Sequence, residues 1–349
     1  MVIPVVVPMN RRDLLLSAPA FVAALLPALA SSKEIRPYPL QHKRSEDAKG
    51  RYMSQLNKSK TLDQRIVQMF ARIDSTRMMG NIQTLQNFGT RHSLAPSIGQ
   101  ASAWLARKFG EYADSQDAVK MQPFQMPQGP VLNNVLFNSD TAKPSFILVC
   151  AHYDSRAHLP ERFDQPAPGA DDNGSGVAML LELASILRGV SLKRGVLLAA
   201  FCGEEQGLIG SQACAEVAAK ENWPIDLVIN LDMIGFASPS NPLSIVVEFD
   251  QGNAHPRNDA SAKSFALRVA QMAADYTELT VEHTNIWSSD YMPFEAVGFP
   301  CVGLYDKGGD EAFYHTSKDT IENVNKGRMV AVAKLLTASV ISICELTEA

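Results

Sequence analysis

Runs 147–151 and 196–201 are apolar at every position, and each ends within two residues at a cluster of polar side chains: His152 after the first, Gly203-Glu204-Glu205 after the second. A strand with no polar face has to be covered on both sides, which places it inside a sheet layered by helices. Segments 131–137, 226–231, 243–249 and 301–305 read as further strands, bounded by turn residues. Between them, 177–187, 208–219, 260–274 and 327–343 carry helical spacing. Upstream, Thr61 or Asp63 is placed to cap a helix with Ile66, Met69 and Phe70 on one face; a second spans 78–88; Gly89-Thr90-Arg91-His92 is a turn; and 97–112 is amphipathic through Trp104, Leu105, Phe109 and Tyr112. Strands alternating with helices predict an α/β fold: a three-layer α/β/α sandwich around a mainly parallel or mixed sheet.

The 349 residues are 46% hydrophobic and 20% charged, with a formal net charge of −5 and no cluster of Lys and Arg. Phosphate backbones need clustered positive charge, so nucleic acid is excluded as a partner. Cys150, Cys202, Cys214, Cys301 and Cys344 lie far apart, mostly within apolar runs, and form neither a CxxC motif nor a disulfide framework. They read as buried free thiols.

The first thirty residues speak to location. Arg11-Arg12 precedes the apolar run 14–30, which contains Pro19 and Pro27 and ends in Ala28-Leu29-Ala30. The run is shorter than the roughly 20 residues of a membrane span. Together with Asn10 and Leu14 it resembles a twin-arginine export signal, with translation from Met1 or from Met9. A periplasmic or secreted protein with no stable membrane span after signal removal is expected. The domain reading is 1–30 export signal, 31–60 polar linker or arm broken by Pro37 and Pro39, and 61–349 a single domain.

In sheets of this kind ligands collect at the carboxyl ends of strands. The polar residues found there are His152-Tyr153-Asp154-Ser155, the loop Gly169-Ala170-Asp171-Asp172-Asn173-Gly174-Ser175-Gly176, Gly203-Glu204-Glu205, Asp232 and, far downstream, Tyr314-His315-Thr316. Two divalent ions about 3.5–4 Å apart need a shared carboxylate. Asp171, short and held among glycines, is the expected bridge. His152 with Asp232, and His315 with Glu205, then complete two balanced sets. Three carboxylates and one bridging hydroxide neutralise two Zn2+, and the bridge is expected as hydroxide or water; Co2+ or Mn2+ are possible substitutes. Adjacent side chains diverge, which leaves Glu204 free as the general base. Asp154, two residues beyond His152 on an extended segment, is placed to fix the imidazole tautomer. Asp172 is expected to stand behind the ligands, and Asp319 either to orient His315 or to cap the C-terminal elements. Met233, Tyr305, Phe313 and Tyr314 flank the site and are candidate walls of a substrate pocket. His42, His92, His158, His255 and His283 belong to no motif and read as structural or exposed.

Taken in order, His152-x-Asp154-Ser155, the Gly169–Gly176 loop, Glu204-Glu205 followed by Gly207-Leu208-x-Gly210-Ser211, Leu231-Asp232-Met233, Ser289-Asp290 and His315-Thr316-x-x-Asp319-Thr320 resemble the M28 family of zinc peptidases across roughly residues 76–345. The resemblance implies the same five ligands, Glu204 as the base, and a non-proline cis bond between Asp171 and Asp172. It implies a peptide substrate and, among the family's branches, an aminopeptidase. A glutaminyl-cyclase-like acyltransferase and a carboxypeptidase are the alternatives; Tyr314 and the Asp-Asp-Asn-Gly-Ser-Gly loop look more like the aminopeptidases. Oligomeric state is left open.

Overall fold

In the computed structural model the described residues are 52–53, 56–59, 61–140, 142–239, 241–306 and 313–347. The expected export signal and most of the expected arm lie outside them. In chain order the elements are β1 (Tyr52–Met53), α1 (Gln64–Met69), α2 (Ser75–Gln86), α3 (Ser97–Gly110), β2 (Val119–Gln125), β3 (Val131–Asn138), β4 (Phe146–His152), α4 (Gly174–Leu187), β5 (Gly195–Phe201), α5 (Ile209–Lys220), β6 (Ile225–Leu231), β7 (Ser244–Phe249), α6 (Asp259–Tyr276), β8 (Thr280–Asn285), α7 (Met292–Ala296), β9 (Cys301–Tyr305) and α8 (Lys326–Cys344).

The strands form a nine-stranded sheet in the order β1-β8-β7-β9-β6-β4-β5-β3-β2. Its centre, β9-β6-β4-β5, is parallel. β3 and β2 close one side antiparallel, and β7 runs antiparallel to β9 on the other. The carboxyl ends of the four parallel strands therefore share one edge, while the end of β7 faces the opposite edge.

Every residue of β5 is buried, as are all but the first of β4. Alternate side chains serve the two faces. Leu148 and Cys150 of β4, with Leu197, Ala199 and Phe201 of β5, pack against Cys214, Ala215 and Ala218 of α5 and Phe294 of α7. The other face is covered by α4, which contacts β4, β5, α2 and α8. A helix apolar on all sides belongs in an interior, and every residue of α4 except Ser185 is buried. Each fully buried Leu, Ile or Phe contributes about 1.5–3 kcal/mol, so these layers carry much of the stability. The one carboxylate in α4, Glu182, is paired: Arg77 of α2 donates to it through Nε at 2.8 Å and Nη2 at 2.9 Å, and the Asp74 N–H donates at 2.7 Å.

α8 is long and apolar enough to cross a membrane by composition, yet most of it is buried against the rest of the protein. All five cysteines are free and buried, as expected. Asp63 rather than Thr61 caps α1, accepting the N–H of Arg65. The described part of the expected arm lies on the protein: β1 pairs with β8, and Ser59 donates to Asp275 of α6 through both N–H and Oγ.

Candidate metal centre

His152 ends β4, and its Nδ1 stands 3.2 Å from the Asp154 carbonyl, which leaves Nε2 facing the strand-end cleft. The Asp154 carboxylate is 3.7 Å from the same Nδ1. Its hydrogen bonds go to the next strand: it accepts the N–H of Glu204 at 3.4 Å and of Glu205 at 3.2 Å. One buried carboxylate thus ties the end of β4 to the turn after β5, where Gly203 has a positive φ of 79°. The tautomer of His152 is set by the backbone carbonyl instead, through the same short segment.

The loop entering α4 corrects the expected register by one residue. Asp172 spans the two histidines, with Oδ1 at 3.3 Å from His152 Nε2 and Oδ2 at 3.3 Å from His315 Nε2. Asp171, expected to bridge, turns away: its Oδ1 accepts the N–H of Gly235 at 2.7 Å, and Asp306 lies against it. The cis peptide bond joins Asp172 to Asn173, not Asp171 to Asp172. Behind the loop, Asp319 accepts the N–H of Asp171 at 2.8 Å and of Asp172 at 2.9 Å, so it orients the aspartates rather than His315. Asn173 caps α4 through Gly176 N and donates to the Leu231 carbonyl. Gly169, at φ +54°, has no room for a Cβ, which would stand 2.4 Å from the Asp172 carbonyl oxygen.

Asp232 follows β6, with Oδ1 at 3.4 Å from His152 Nε2; its Oδ2 accepts the Ser289 hydroxyl at 2.7 Å, and Ser289 accepts from Asn230. Glu205 Oε2 lies 2.9 Å from His315 Nε2. Three donor groups result, His152–Asp172–Asp232, Asp172–Glu205–His315 and His152–Glu204–Glu205, within each of which the ligand atoms lie within 4.8 Å of one another. The first two share Asp172 and divide the two imidazoles between them. Glu204 Oε2 is 3.9 Å from His152 Nε2, beside the pair.

The electrostatics are those of a site crowded with carboxylates. Burial alone would push both imidazoles down, but Glu204 with Asp172 and Asp232 holds His152 well above its ordinary value, and Glu205 with Asp172 raises His315 to about 9. Burial would raise Asp172, but the two histidines hold it far below the carboxylate range. Burial, then Glu205 and Asp232 against the pull of His152, lifts Glu204 well above it. Asp172 Oδ2 and Glu205 Oε1 are buried without a hydrogen-bond partner. Buried carboxylate oxygens are costly unless paired or coordinating, and two imidazoles, three carboxylates and two such orphans fit a pair of divalent cations.

Two residues that support the site, Arg91 and Arg156, escaped the sequence reading. Arg91 is fully buried and its guanidinium donates to the carbonyls of Tyr153, Leu85, Pro168 and Gly169, which joins the exit of β4 to the aspartate loop. Arg156 donates through Nε to Glu205 Oε2 at 2.8 Å. Their partners are distant in sequence, and no local pattern marks them. Ser289, from the Ser289-Asp290 element singled out in the sequence, supports Asp232. Of the expected pocket walls, Met233 and Tyr305 are instead buried in a cluster with Val246. Phe313 packs edge-on to Phe236, and Tyr314, 44% exposed, stacks on the His315 ring at 3.6 Å.

The model of Peptidase family M28 matches residues 134–340. A "Probable zinc metalloprotease" of Pyrenophora teres f. teres (strain 0-1) is 31% identical over 264 residues, covering 64% of this chain and 56% of that protein. Aminopeptidase YwaD of Bacillus subtilis (strain 168) is 32% identical over 204 residues, covering 56% of this chain and 41% of its own length. The chain thus spans little more than half the length of the first relative and less of the second. Among solved structures, LapB from Legionella pneumophila superposes with a TM-score of 0.71 at 22% identity, covering 84% of this chain and 78% of that one. Fimbriiglobus ruber glutaminyl cyclase superposes with a TM-score of 0.63 at 21% identity, covering 77% and 95%. These two share the fold.

Proposed function

Because the chain belongs to peptidase family M28, we propose that it is a two-zinc peptidase that removes N-terminal residues from peptides. The observation that carries this reading is the pair of donor groups sharing Asp172, with Glu204 beside them at the strand ends. Zinc is favoured by the imidazole and carboxylate donors and by the relative described as a zinc metalloprotease. The aminopeptidase direction is supported by the similarity to YwaD.

His152, Asp172 and Asp232 would hold one ion, and Asp172, Glu205 and His315 the other. When bound, the pair supplies Lewis acidity, which polarises a peptide carbonyl and eases ionisation of water. The protein residues do the rest. Glu204, buried beside His152 at 3.9 Å and next in sequence to Glu205, is the carboxylate placed to take a proton from water and return it to the leaving amine. Asp154 fixes the position of that base by holding the Glu204 and Glu205 amides. Arg156 fixes Glu205. Export through the twin-arginine-like signal at Arg11-Arg12 is part of the same proposal; it would deliver an already folded, metal-loaded enzyme.

The test is a panel of peptides with free and acetylated N-termini, including one beginning with Gln, incubated with the zinc-loaded chain and followed by mass spectrometry. Stepwise release of first residues from free peptides only is the expected result. Cleavage of blocked peptides would refute the exopeptidase direction. Loss of ammonia from the Gln peptide without release of an amino acid would replace hydrolysis by cyclisation.

A further inference from the structure

The two donor groups that share Asp172 differ in what stands behind their other carboxylate. Asp232 Oδ2 accepts the hydroxyl of Ser289, a neutral donor, at 2.7 Å. Asp232 pairs with His152, and with no Lys or Arg among the described residues. Glu205 Oε2 instead accepts Nε of Arg156, which carries a full positive charge, at 2.8 Å. The same Glu205 oxygen lies 2.9 Å from His315 Nε2. The guanidinium and the second donor group therefore meet on one atom.

The guanidinium is held where it is. The Arg156 side chain is 10% exposed, and its Nη1 donates to the carbonyls of Ala157 at 3.2 Å and His158 at 3.4 Å, within its own segment. That segment follows Ser155, whose Oγ accepts the N–H of Arg91 at 3.0 Å. An arginine keeps its charge at every pH at which the fold exists. The other buried guanidinium near the site, Arg91, directs its donors to carbonyls, and its charge bears on Asp319, Asp154 and the shared Asp172 before Glu205. Glu204 has a ligand atom close to both His152 and Glu205 and does not distinguish the two groups. Arg156 does.

A cationic hydrogen-bond donor on a ligating carboxylate has two opposed effects. Holding the oxygen in place contributes about 10- to 100-fold to metal affinity. Repulsion between the donor and the ion acts the other way. Two cations on one carboxylate are a few ångströms apart, and at an effective dielectric of about 20 a unit charge lowers the affinity for a divalent ion at such range by more than about 1,000-fold. Repulsion outweighs positioning. Resting on the two-ion reading above, we propose that Arg156 is a built-in competitor for the second ion, which makes Asp172–Glu205–His315 the position that fills last and empties first. The chain then keeps one ion at His152–Asp172–Asp232 and loads the other only as free zinc rises. While the second position is empty, Arg156 spares the protein a buried and unpaired Glu205 charge.

The experiment strips the full chain of metal and titrates it with zinc against a chromophoric chelator, reading bound against free zinc. Wild type should bind two ions in steps at least about 10-fold apart in affinity. Arg156→Gln should tighten the weaker step at least about 10-fold and leave the stronger within about 3-fold. Arg156→Lys, which keeps the charge, should leave the weaker step weak. A purely structural role predicts the opposite sign, a looser second step in Arg156→Gln. If Arg156→Gln fails to fold, ligand variants decide: His315→Gln should remove the weaker step and His152→Gln the stronger. Two equal steps in wild type, a weaker step unchanged or loosened in Arg156→Gln, equal tightening in the Lys and Gln variants, or loss of the stronger step in His315→Gln would overturn the proposal. A single ion bound by wild type in excess zinc would instead refute the two-ion reading, and the inference with it.

Discussion

Asp171 and Asp172 are neighbours with opposite tasks: the Asp171 carboxylate accepts the Gly235 N–H at 2.7 Å, while Asp172 stands 3.3 Å from both His152 Nε2 and His315 Nε2. Burial and the nearby Asp306 push Asp171 above its ordinary value, and its contact is a backbone N–H rather than an imidazole. Asn keeps the carbonyl oxygen that accepts this bond. Asp171→Asn should therefore keep both zinc ions and activity within about 10-fold, whereas Asp172→Asn should lose metal and at least about 1,000-fold in kcat/KM. Zinc analysis of the two proteins checks this; the reverse pattern would restore Asp171 as the bridge.

Glu204 Oε2 stands 3.9 Å from His152 Nε2 and groups with His152 and Glu205, beside the two sets that share Asp172. Glu204→Gln should retain zinc and lower kcat by about 100- to 10,000-fold with little change in KM. Turnover close to wild type would remove Glu204 from the role of base.

Arg91 supplies four carbonyls with donors in a region without water access. Replacing it by Met would strand them, at about 1–3 kcal/mol for each group left unpaired. Partial relaxation makes about 3 kcal/mol or more the expected total, read as a fall in the urea midpoint. Zinc affinity should fall as well, because the loops carrying His152 and Asp172 lose their common anchor. Stability unchanged within about 0.5 kcal/mol would mean that the guanidinium is dispensable.

His283, fully buried in β8, gives the fold a pH dependence away from the metal centre. Burial lowers its imidazole below the ordinary 6.5, against a smaller raising effect from Val247. Below that value the unfolded chain binds more protons than the folded one. The contribution of the neutral ring is thus complete above about pH 6.5 and shrinks as pH falls through that value toward the folded pKa. Urea titrations from pH 7.5 to 5 should show stability falling with pH, less steeply in His283→Phe. Equal slopes in both proteins would assign the dependence elsewhere.

The fold was legible where composition left one choice. β4, β5 and β9 are too apolar to be anything but covered strands, and α4 is apolar on every side. β2 and β8 were missed: Val119–Gln125 contains Pro123 and reads as broken, though as an edge strand it pairs on one side only, and Thr280–Asn285 is too polar to stand out. In the site, residue types at strand ends revealed the chemistry. Which of two adjacent aspartates faces the histidines was not legible, since backbone rotation decides it and both carry the same side chain. The support from Arg91 and Arg156 was hidden because their partners come from other segments; Asp319 stood out in the sequence, but its partners, the aspartate loop as many as 148 residues away, were not legible.

The anchor made by Arg91 has a further consequence. Together with Ser155, whose hydroxyl donates to the Ala167 carbonyl at 2.7 Å, and the bridge of Thr90 to Ala167, it gathers both ends of the segment between Ser155 and Ala167 into a neck. Length and sequence changes beyond the neck need not be transmitted to His152 or Asp172, except through Arg156. The excursion, where Leu159 and Phe163 face solvent, can therefore change in length or sequence while the metal centre stays fixed.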